Sequence, residues 1–306
     1  KTGLIIRKEN GNIFDRFVNR ITFPFYSLSG LVIGFTGRSL DKDTQCKYLN
    51  SPETPLFHKG KTLFGIYQAR QEISKSDKCY LVEGQFDVLS FVQSGYPNTV
   101  CGSGTALTLD QVRIIKKFTR NVTAVYDGDA AGMKASVRNM DIMLAEGMNV
   151  RAVLLPEGED PDSFARKMGT EKLAKFLKKQ ETDFISFIYK AFESEMDDPI
   201  RKTEVLRIIA QSISVVPDKL QRQAYIVSLA ERFNADGELI TNLVAELQAV
   251  GKKSVPAQPT QPGLTGVEEA EELVKTGSKQ VTLTWSVNRF SEGWGVCPVI
   301  LITGIP

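Results

Sequence analysis

From Cys79 to Leu155, short apolar runs alternate with segments of helical periodicity. Cys79–Val82, the run at Thr99 and Val122–Tyr126 are short and β-prone, which predicts buried strands, and Val150–Leu155 supplies one more. Between them, Phe86–Ser94, Thr108–Lys117 and Ala130–Glu146 have helical character, and a helix-like stretch at Ile66–Ile73 leads into the series. Strand and helix alternating in this way predict an α/β unit built on a mostly parallel sheet.

The flanks read differently. Ile21–Tyr26 and Leu31–Gly37 are β-rich runs around Ser27-Leu28-Ser29-Gly30, which predicts a hairpin in a mixed α/β segment. After Tyr48, Leu49-Asn50-Ser51-Pro52-Glu53-Thr54-Pro55 predicts a loop, which Phe57-His58-Lys59-Gly60 continues. From Asp183 to Val250, four apolar stripes recur at helical spacing: Phe184, Phe187, Ile188 and Ala191; Val205, Ile208 and Ile209; Ile226 and Leu229; and Leu239, Leu243 and Leu247. They predict a small helical bundle. Gly251–Gly263 reads as a linker, and Gly266–Pro306 as a short acidic helix followed by strand-like segments such as Val281–Val287. The expected organisation is therefore a basic segment over 1–60, the sheet domain over 61–182, the bundle over 183–250, and a linker with an unassigned tail over 251–306.

Composition changes this picture little. The chain has 306 residues, 42% hydrophobic and 24% charged, ordinary for a soluble protein of about two domains. No apolar run reaches the roughly 20 residues of a membrane span. Cys46, Cys79, Cys101 and Cys297 are scattered without a Cys-x-x-Cys pair, so neither a disulfide framework nor a zinc site is expected, and reduced thiols in the cytoplasm are the default. The chain starts at Lys1 and reads as a fragment. A net charge of +2 does not announce a nucleic-acid binder, but its distribution is uneven. Before Cys79, basic residues such as Arg16, Arg20, Arg38, Lys47 and Lys59 outnumber the acids.

The chemistry lies at the strand ends. Glu83-Gly84 follows Cys79–Val82, Asp127-Gly128-Asp129 follows Val122–Tyr126, and Pro156-Glu157-Gly158-Glu159-Asp160-Pro161-Asp162 follows the last strand. Parallel strands place their C-terminal ends on one edge, where open α/β sheets bind ligands, so Glu83, Asp127 and Asp129 are expected to converge. Two unit charges about 4 Å apart cost roughly 4 kcal/mol at an effective dielectric of about 20, so such a cluster calls for protonation or a cation. Hard oxygen donors without a His or Cys cluster favour Mg²⁺ or Mn²⁺ over zinc. The natural chemistry is phosphoryl or nucleotidyl transfer. Taken singly, Asp127-Gly128 is also a common turn and Asp129 a good helix cap.

Other motifs carry less. Gly102-Ser103-Gly104-Thr105 lacks the third glycine of a dinucleotide fingerprint and the Gly-Lys-Ser/Thr of a P-loop, and reads as a tight βα turn. His58 is the sole histidine, with nothing nearby to build a nucleophile–base pair, and reads as a loop residue, exposed or bonded to the backbone.

A strand ending in Glu-Gly, a further acid at Asp87, and a strand ending in Asp-x-Asp resemble the Toprim domain of primases, topoisomerases and some nucleases. The resemblance extends further. Asp15-Arg16-Phe17, Gly37-Arg38, Lys47-Tyr48-Leu49-Asn50-Ser51-Pro52-Glu53-Thr54, Phe57-His58-Lys59-Gly60, Val82-Glu83-Gly84, Tyr126-Asp127-Gly128-Asp129-Ala130-Ala131-Gly132 and Gly158-Glu159-Asp160-Pro161-Asp162 are similar to the RNA polymerase core of bacterial replicative DNA primase, over roughly Lys1 to Val250. The run from Lys47 to Thr54 is the most specific, because topoisomerases and Toprim nucleases do not carry it.

This resemblance implies synthesis of RNA primers on single-stranded DNA from ribonucleoside triphosphates, as part of the primosome. It implies a metal site from Glu83, Asp87, Asp127, Asp129, Asp160 and Asp162, with Glu83, Asp127 and Asp129 as the catalytic acids. Template and nucleotide binding would fall to Arg16, Arg20, Arg38, Lys47 and Lys59. The family's zinc-ribbon domain has no counterpart here, so no zinc is expected. Its helicase-binding domain is helical, and helicase binding is not carried over to the tail. Two other readings stay open: a Toprim phosphodiesterase or topoisomerase, and a non-catalytic single-stranded DNA-binding module.

Overall fold

A computed structural model describes residues 3–41, 44, 46–102, 104, 106–128, 133–253 and 300–302. Asp129, the remainder of its loop to Gly132, the expected linker from 254 onward, and the tail expected over 266–306 apart from 300–302 lie outside the described residues, as do Ser103 and Thr105.

The chain begins with a small antiparallel hairpin, β1 (Ile5–Arg7) and β2 (Ile13–Asp15). An antiparallel sheet follows, made of β3 (Arg20–Tyr26), β4 (Val32–Ser39) and β5 (Tyr48–Asn50). The hairpin read from the alternating apolar runs is thus β3–β4. β5 corrects the loop expected after Tyr48: Tyr48, Leu49 and Asn50 precede the prolines, so their amides remain available to pair with Arg38, Gly37 and Thr36.

The second sheet follows helix α1 (Ile66–Ser76). Its units are β6 (Cys79–Val82), α2 (Gln85–Gln93), β7 (Thr99–Cys101), α3 (Leu109–Lys116), β8 (Asn121–Tyr126), α4 (Met133–Ala145), β9 (Asn149–Leu154) and α5 (Pro161–Gln180). A two-residue strand, β10 (Thr182–Asp183), closes one edge antiparallel to β9. The spatial order is β10-β9-β8-β6-β7, with β6, β7, β8 and β9 mutually parallel. β6 pairs on both sides, which explains its four buried residues and its uninterrupted apolar run.

Alternation along these strands divides the core in two. Leu81, Val100, Val122, Ala124, Val150 and Ala152 face α1, α3 and α4. Tyr80, Val82, Cys101, Val125 and Val153 share a core with Phe23 and Phe25 of β3, Phe57, and Phe91 of α2. The antiparallel sheet is therefore packed onto the parallel one through aromatic side chains; Phe64 meets Phe23 and Phe25 edge-on, with centroids 6.1 and 5.8 Å away.

The bundle comprises α6 (Phe184–Ala191), α7 (Pro199–Ser214), α8 (Lys219–Phe233) and α9 (Gly237–Lys253). Asp183, Asp198 and Asp218 cap the first three. Phe184, Phe187, Ile188, Val205, Ile209, Ile226 and Leu229 are buried as their spacing indicates. Two positions are corrected. Ile208 and Leu239 are 36% and 65% exposed, because the inward faces of α7 and α9 run through Ile209 and Ile213, and through Ile240 and Val244. α9 also continues through Gly251–Lys253, where a linker was expected. A last strand, β11 (Ile300–Ile302), lies antiparallel to the start of β3. Among the described residues no helix is long and apolar enough to cross a membrane.

Candidate nucleic-acid and metal site

The ends of β6, β8 and β9 bring the acidic loops to one edge of the sheet. Glu83 directly follows β6, Asp127 directly follows β8, and Asp160 stands at the end of the loop after β9. Two of the acids are held by helix N-termini, where free amides and the helix dipole favour negative charge. Asp87 Oδ2 accepts the Gly84 amide at 2.8 Å, and Asp160 Oδ1 accepts the Ser163 amide at 2.6 Å as the cap of α5. The acidic loop expected to run through Asp162 therefore ends at Asp160, and Pro161 and Asp162 form the first turn of α5.

Asp87 is buried close to other acids. Burial pushes its carboxyl up to about 7, the charges of Asp127 and Asp160 push the same way, and the amides of Gly84 and Asp162 only partly offset them. Its Oδ1 accepts the Asp162 amide at 3.2 Å. Asp162 is engaged on both oxygens: Ser90 donates to Oδ1 at 2.5 Å, and Arg166 pairs with Oδ2 at 2.7 Å. Ser90 and Arg166 escaped the sequence reading. Helical spacing could have found both, since Ser90 is three residues after Asp87 and Arg166 four after Asp162.

The loops of β8 and β9 are pressed together. Gly128 donates to the Glu159 carbonyl at 3.3 Å, and a Cβ at Gly128 would lie 2.1 Å from the Pro156 carbonyl oxygen. Only glycine lets Asp127 enter this corner. Glu159 is held by Lys167 and Ser163. Among the described residues, no group of three or more His, Cys, Asp and Glu side chains is arranged to hold a metal ion by itself. What the described residues show is that Asp127 and Asp160 couple electrostatically to Asp87; the convergence expected of Glu83, Asp127 and Asp129 includes a residue outside them.

The basic residues divide into two kinds. Arg16 donates to the Asn50 carbonyl at 3.1 and 3.0 Å, and Arg20 to the carbonyls of Gly37, Lys47 and Cys46 at 3.1, 3.2 and 2.9 Å. Both guanidinium groups thereby brace the antiparallel sheet. Arg38 instead reaches the acidic side: it lies over the Phe86 ring, 4.3 Å from the centroid, and 5.7 Å from that of Tyr48. Burial raises the Tyr48 hydroxyl, Arg38 counters this, and Asp87 adds to it, so these three groups share one field. Phe86 and Tyr48 were not singled out from the sequence as aromatic supports for a cation. Lys47 is exposed, and Lys59 opens a 3-10 turn whose amide is fixed by Glu53. His58, expected to be exposed or bonded to the backbone, has a side chain 44% exposed and pairs with Glu53 at 3.1 Å.

A parallel sheet with acids at adjacent strand ends, faced by a basic antiparallel sheet, defines a Toprim-type catalytic core. Residues 80–165 match the family described as Toprim-like, residues 1–70 that described as DNA primase catalytic core, N-terminal domain, and residues 193–238 that described as DnaB-helicase binding domain of primase. The DNA primase of Staphylococcus epidermidis is 35% identical over 242 residues, 78% of this chain and 40% of that protein. A DNA primase domain from Pseudomonas aeruginosa superposes with a TM-score of 0.70 at 33% identity, over 80% of this chain and 78% of that one. The structure of a DnaG primase catalytic domain bound to single-stranded DNA superposes at 0.65 with 34% identity, over 75% of each chain. The chain belongs to the bacterial DNA primase family. It spans about two fifths of the length of the curated relative quoted above. The helicase-related match falls within the bundle, on α7 and α8, and leaves the tail without one.

Proposed function

We propose that this chain is the polymerase core of a cytoplasmic DNA primase, which joins ribonucleoside triphosphates into short RNA primers on a single-stranded DNA template during replication. One observation carries the reading: Arg38, held on Phe86, and Asp87 act on the same Tyr48 hydroxyl, so the basic sheet and the acidic edge share one field. A nucleic acid or triphosphate needs that pairing of surfaces. The basic one attracts phosphates, and the acidic one becomes favourable only when a cation shares it.

The donor set fits a divalent ion. It consists of hard carboxylate oxygens, Asp87 is pushed towards its neutral form by burial first and then by the charges of Asp127 and Asp160, and Mg²⁺ needs only one or two carboxylates beside waters and substrate phosphates. Glu83, Asp87, Asp127 and Asp129 would hold it, as Mg²⁺ or Mn²⁺, with Asp160 close enough in charge to tune them. When bound, such an ion stabilises the attacking 3′-oxygen and the departing pyrophosphate. Asp162, engaged by Ser90 and Arg166, acts by fixing Asp87 through its amide. Arg38 and Lys59 neutralise triphosphate charge, and Arg16, Arg20 and Lys47 add to the field that guides the template. The bundle around 193–238 is the surface we assign to the replicative helicase.

Primer extension tests this reading. The chain is incubated with single-stranded template, an annealed primer, ribonucleotides and Mg²⁺ or Mn²⁺. Templated extension that disappears in Asp127→Asn supports it. Strand cleavage would make the chain a Toprim nuclease instead, and template binding without either reaction a non-catalytic module.

A further inference from the structure

A cavity of about 320 Å³ lies between the β3–β4 turn, the segment leading into α1, and α3. None of the acids of the sheet edge lines it. Its walls are Leu28, Ile33, Leu56, Leu63, Ile66 and Ile114, and its rim carries Lys61, Lys117, Arg113 and Asp110. Arg113 is already paired, with Asp110 at 3.8 Å and Glu146 at 3.0 Å. Lys61 and Lys117 are exposed, and among the described residues neither forms an ion pair.

The walls are preformed. Gln111, fully buried, donates to the carbonyls of Lys59 and Thr62 at 3.0 and 2.9 Å, and Thr108 donates to that of Gly60 at 2.5 Å, so the loop is bolted to α3. On the opposite side, Gly30 has φ +93° and lies so close to Tyr67 that a Cβ would meet the ring at 2.7 Å. The turn therefore rests on α1 as a fixed wall. A ligand entering such a site does not have to order it first.

We propose that this cavity binds a small organic anion with a flat apolar body, an aromatic carboxylate, its ring among Ile33, Ile66 and Ile114 and its carboxylate between Lys61 and Lys117. An apolar lining with a few convergent polar groups is the usual form of a small-molecule site. The two lysines set the sign of the charge. The lining limits its amount, because apolar walls cannot compensate the desolvation of several phosphates, and Asp110 repels surplus negative charge. The site thus selects against nucleotides and nucleic acid, and it stands apart from the polymerase reading.

The test is calorimetric titration of the whole chain with 2-naphthoate and with its neutral isostere naphthalene-2-carboxamide, without template, nucleotide or metal. Naphthoate should bind at one equivalent and at least tenfold more tightly than the carboxamide. The surface double variant Lys61→Ala/Lys117→Ala should lose that tenfold and keep its melting temperature, and Ile114→Trp should fill the cavity and abolish binding. Absence of saturable binding, equal affinity for the two compounds, or unchanged affinity in the lysine variant would each overturn the proposal.

Discussion

The Arg38 guanidinium carbon stands 4.3 Å from the centroid of the Phe86 ring, so the end of β4 is coupled to the start of α2 by a cation held on an aromatic face. Phe86 is itself edge-on to Phe23, at 5.3 Å. Such contacts are worth about 0.5–1 kcal/mol at exposed sites. Phe86→Leu should therefore weaken single-stranded DNA binding about two- to fivefold, measured by fluorescence anisotropy, whereas Phe86→Tyr keeps it. Equal losses in both variants would show that the ring face plays no part.

Ser90 makes a charge-assisted hydrogen bond to Asp162, and such bonds contribute about 1.5–3 kcal/mol. Ser90→Ala should lower stability by an amount of that order in urea unfolding. Ser90→Thr, which keeps the hydroxyl, should recover part of it. A silent Ser90→Ala would mean that Arg166 alone holds the carboxylate.

Asp127 raises the proton affinity of Asp87, and the two acids repel in the absence of metal. Asp127→Asn should abolish primer extension yet melt no lower than wild type in chelator. Mn²⁺ should raise the wild-type melting temperature by mass action, and raise that of the variant less. Asp129→Asn, made in parallel, is expected to behave alike. Identical metal responses in all three proteins would remove both residues from the ion's ligand set.

Gly128→Ala places a methyl group 2.1 Å from the Pro156 carbonyl oxygen. Backbone cannot yield as a side chain tip can, so the cost should exceed the usual overpacking penalty of about 1–3 kcal/mol. Denaturant titration reads it. A nearly neutral Gly128→Ala would show that the two loops separate freely.

Asp141 faces Ser212 of α7, and its Oδ1 is buried without a hydrogen-bond partner. Burial pushes its carboxyl from an ordinary 3.8 to about 6, with the Ser212 hydroxyl pulling the other way. A carboxyl raised in the folded state contributes stability that is complete below about pH 4 and is lost as pH rises through about 6. Asp141→Asn should then be more stable than wild type at pH 8 by on the order of 3 kcal/mol, given about 1.4 kcal/mol per unit. The advantage should vanish near pH 4. A difference that stays constant across this range would rule out the titration.

The parallel sheet was legible because β6, β8 and β9 are short, nearly unbroken apolar runs, each ending in acid and glycine. The bundle was legible because Phe184, Val205, Ile209, Ile226 and Leu229 keep helical spacing. The hairpin β1–β2 was not, since its apolar residues Ile5, Ile6, Ile13 and Phe14 are exposed and show no buried face to read. β5 was masked by the prolines after it. α5 was masked by its own kink, where Gly169 at φ 68° interrupts the apolar pattern. At the site, the acids at the strand ends could be placed from sequence, whereas the division of the arginines could not. Whether a guanidinium spends its donors on carbonyls, as Arg16 and Arg20 do, or lies on a ring, as Arg38 does, is decided by strand pairing between residues distant in the chain.

The apolar core behind the parallel sheet continues through α6, α7, α8 and α9, from Leu81 and Val122 to Ile240 and Val244. The bundle is therefore no tethered appendage but the back wall of the parallel sheet. Traction applied to residues 193–238 would be transmitted through packed side chains to β6 and β8, whose ends carry Glu83 and Asp127. If a partner docks there as proposed, tension on it would strain the strand ends directly, with no slack between the point of attachment and the acidic edge.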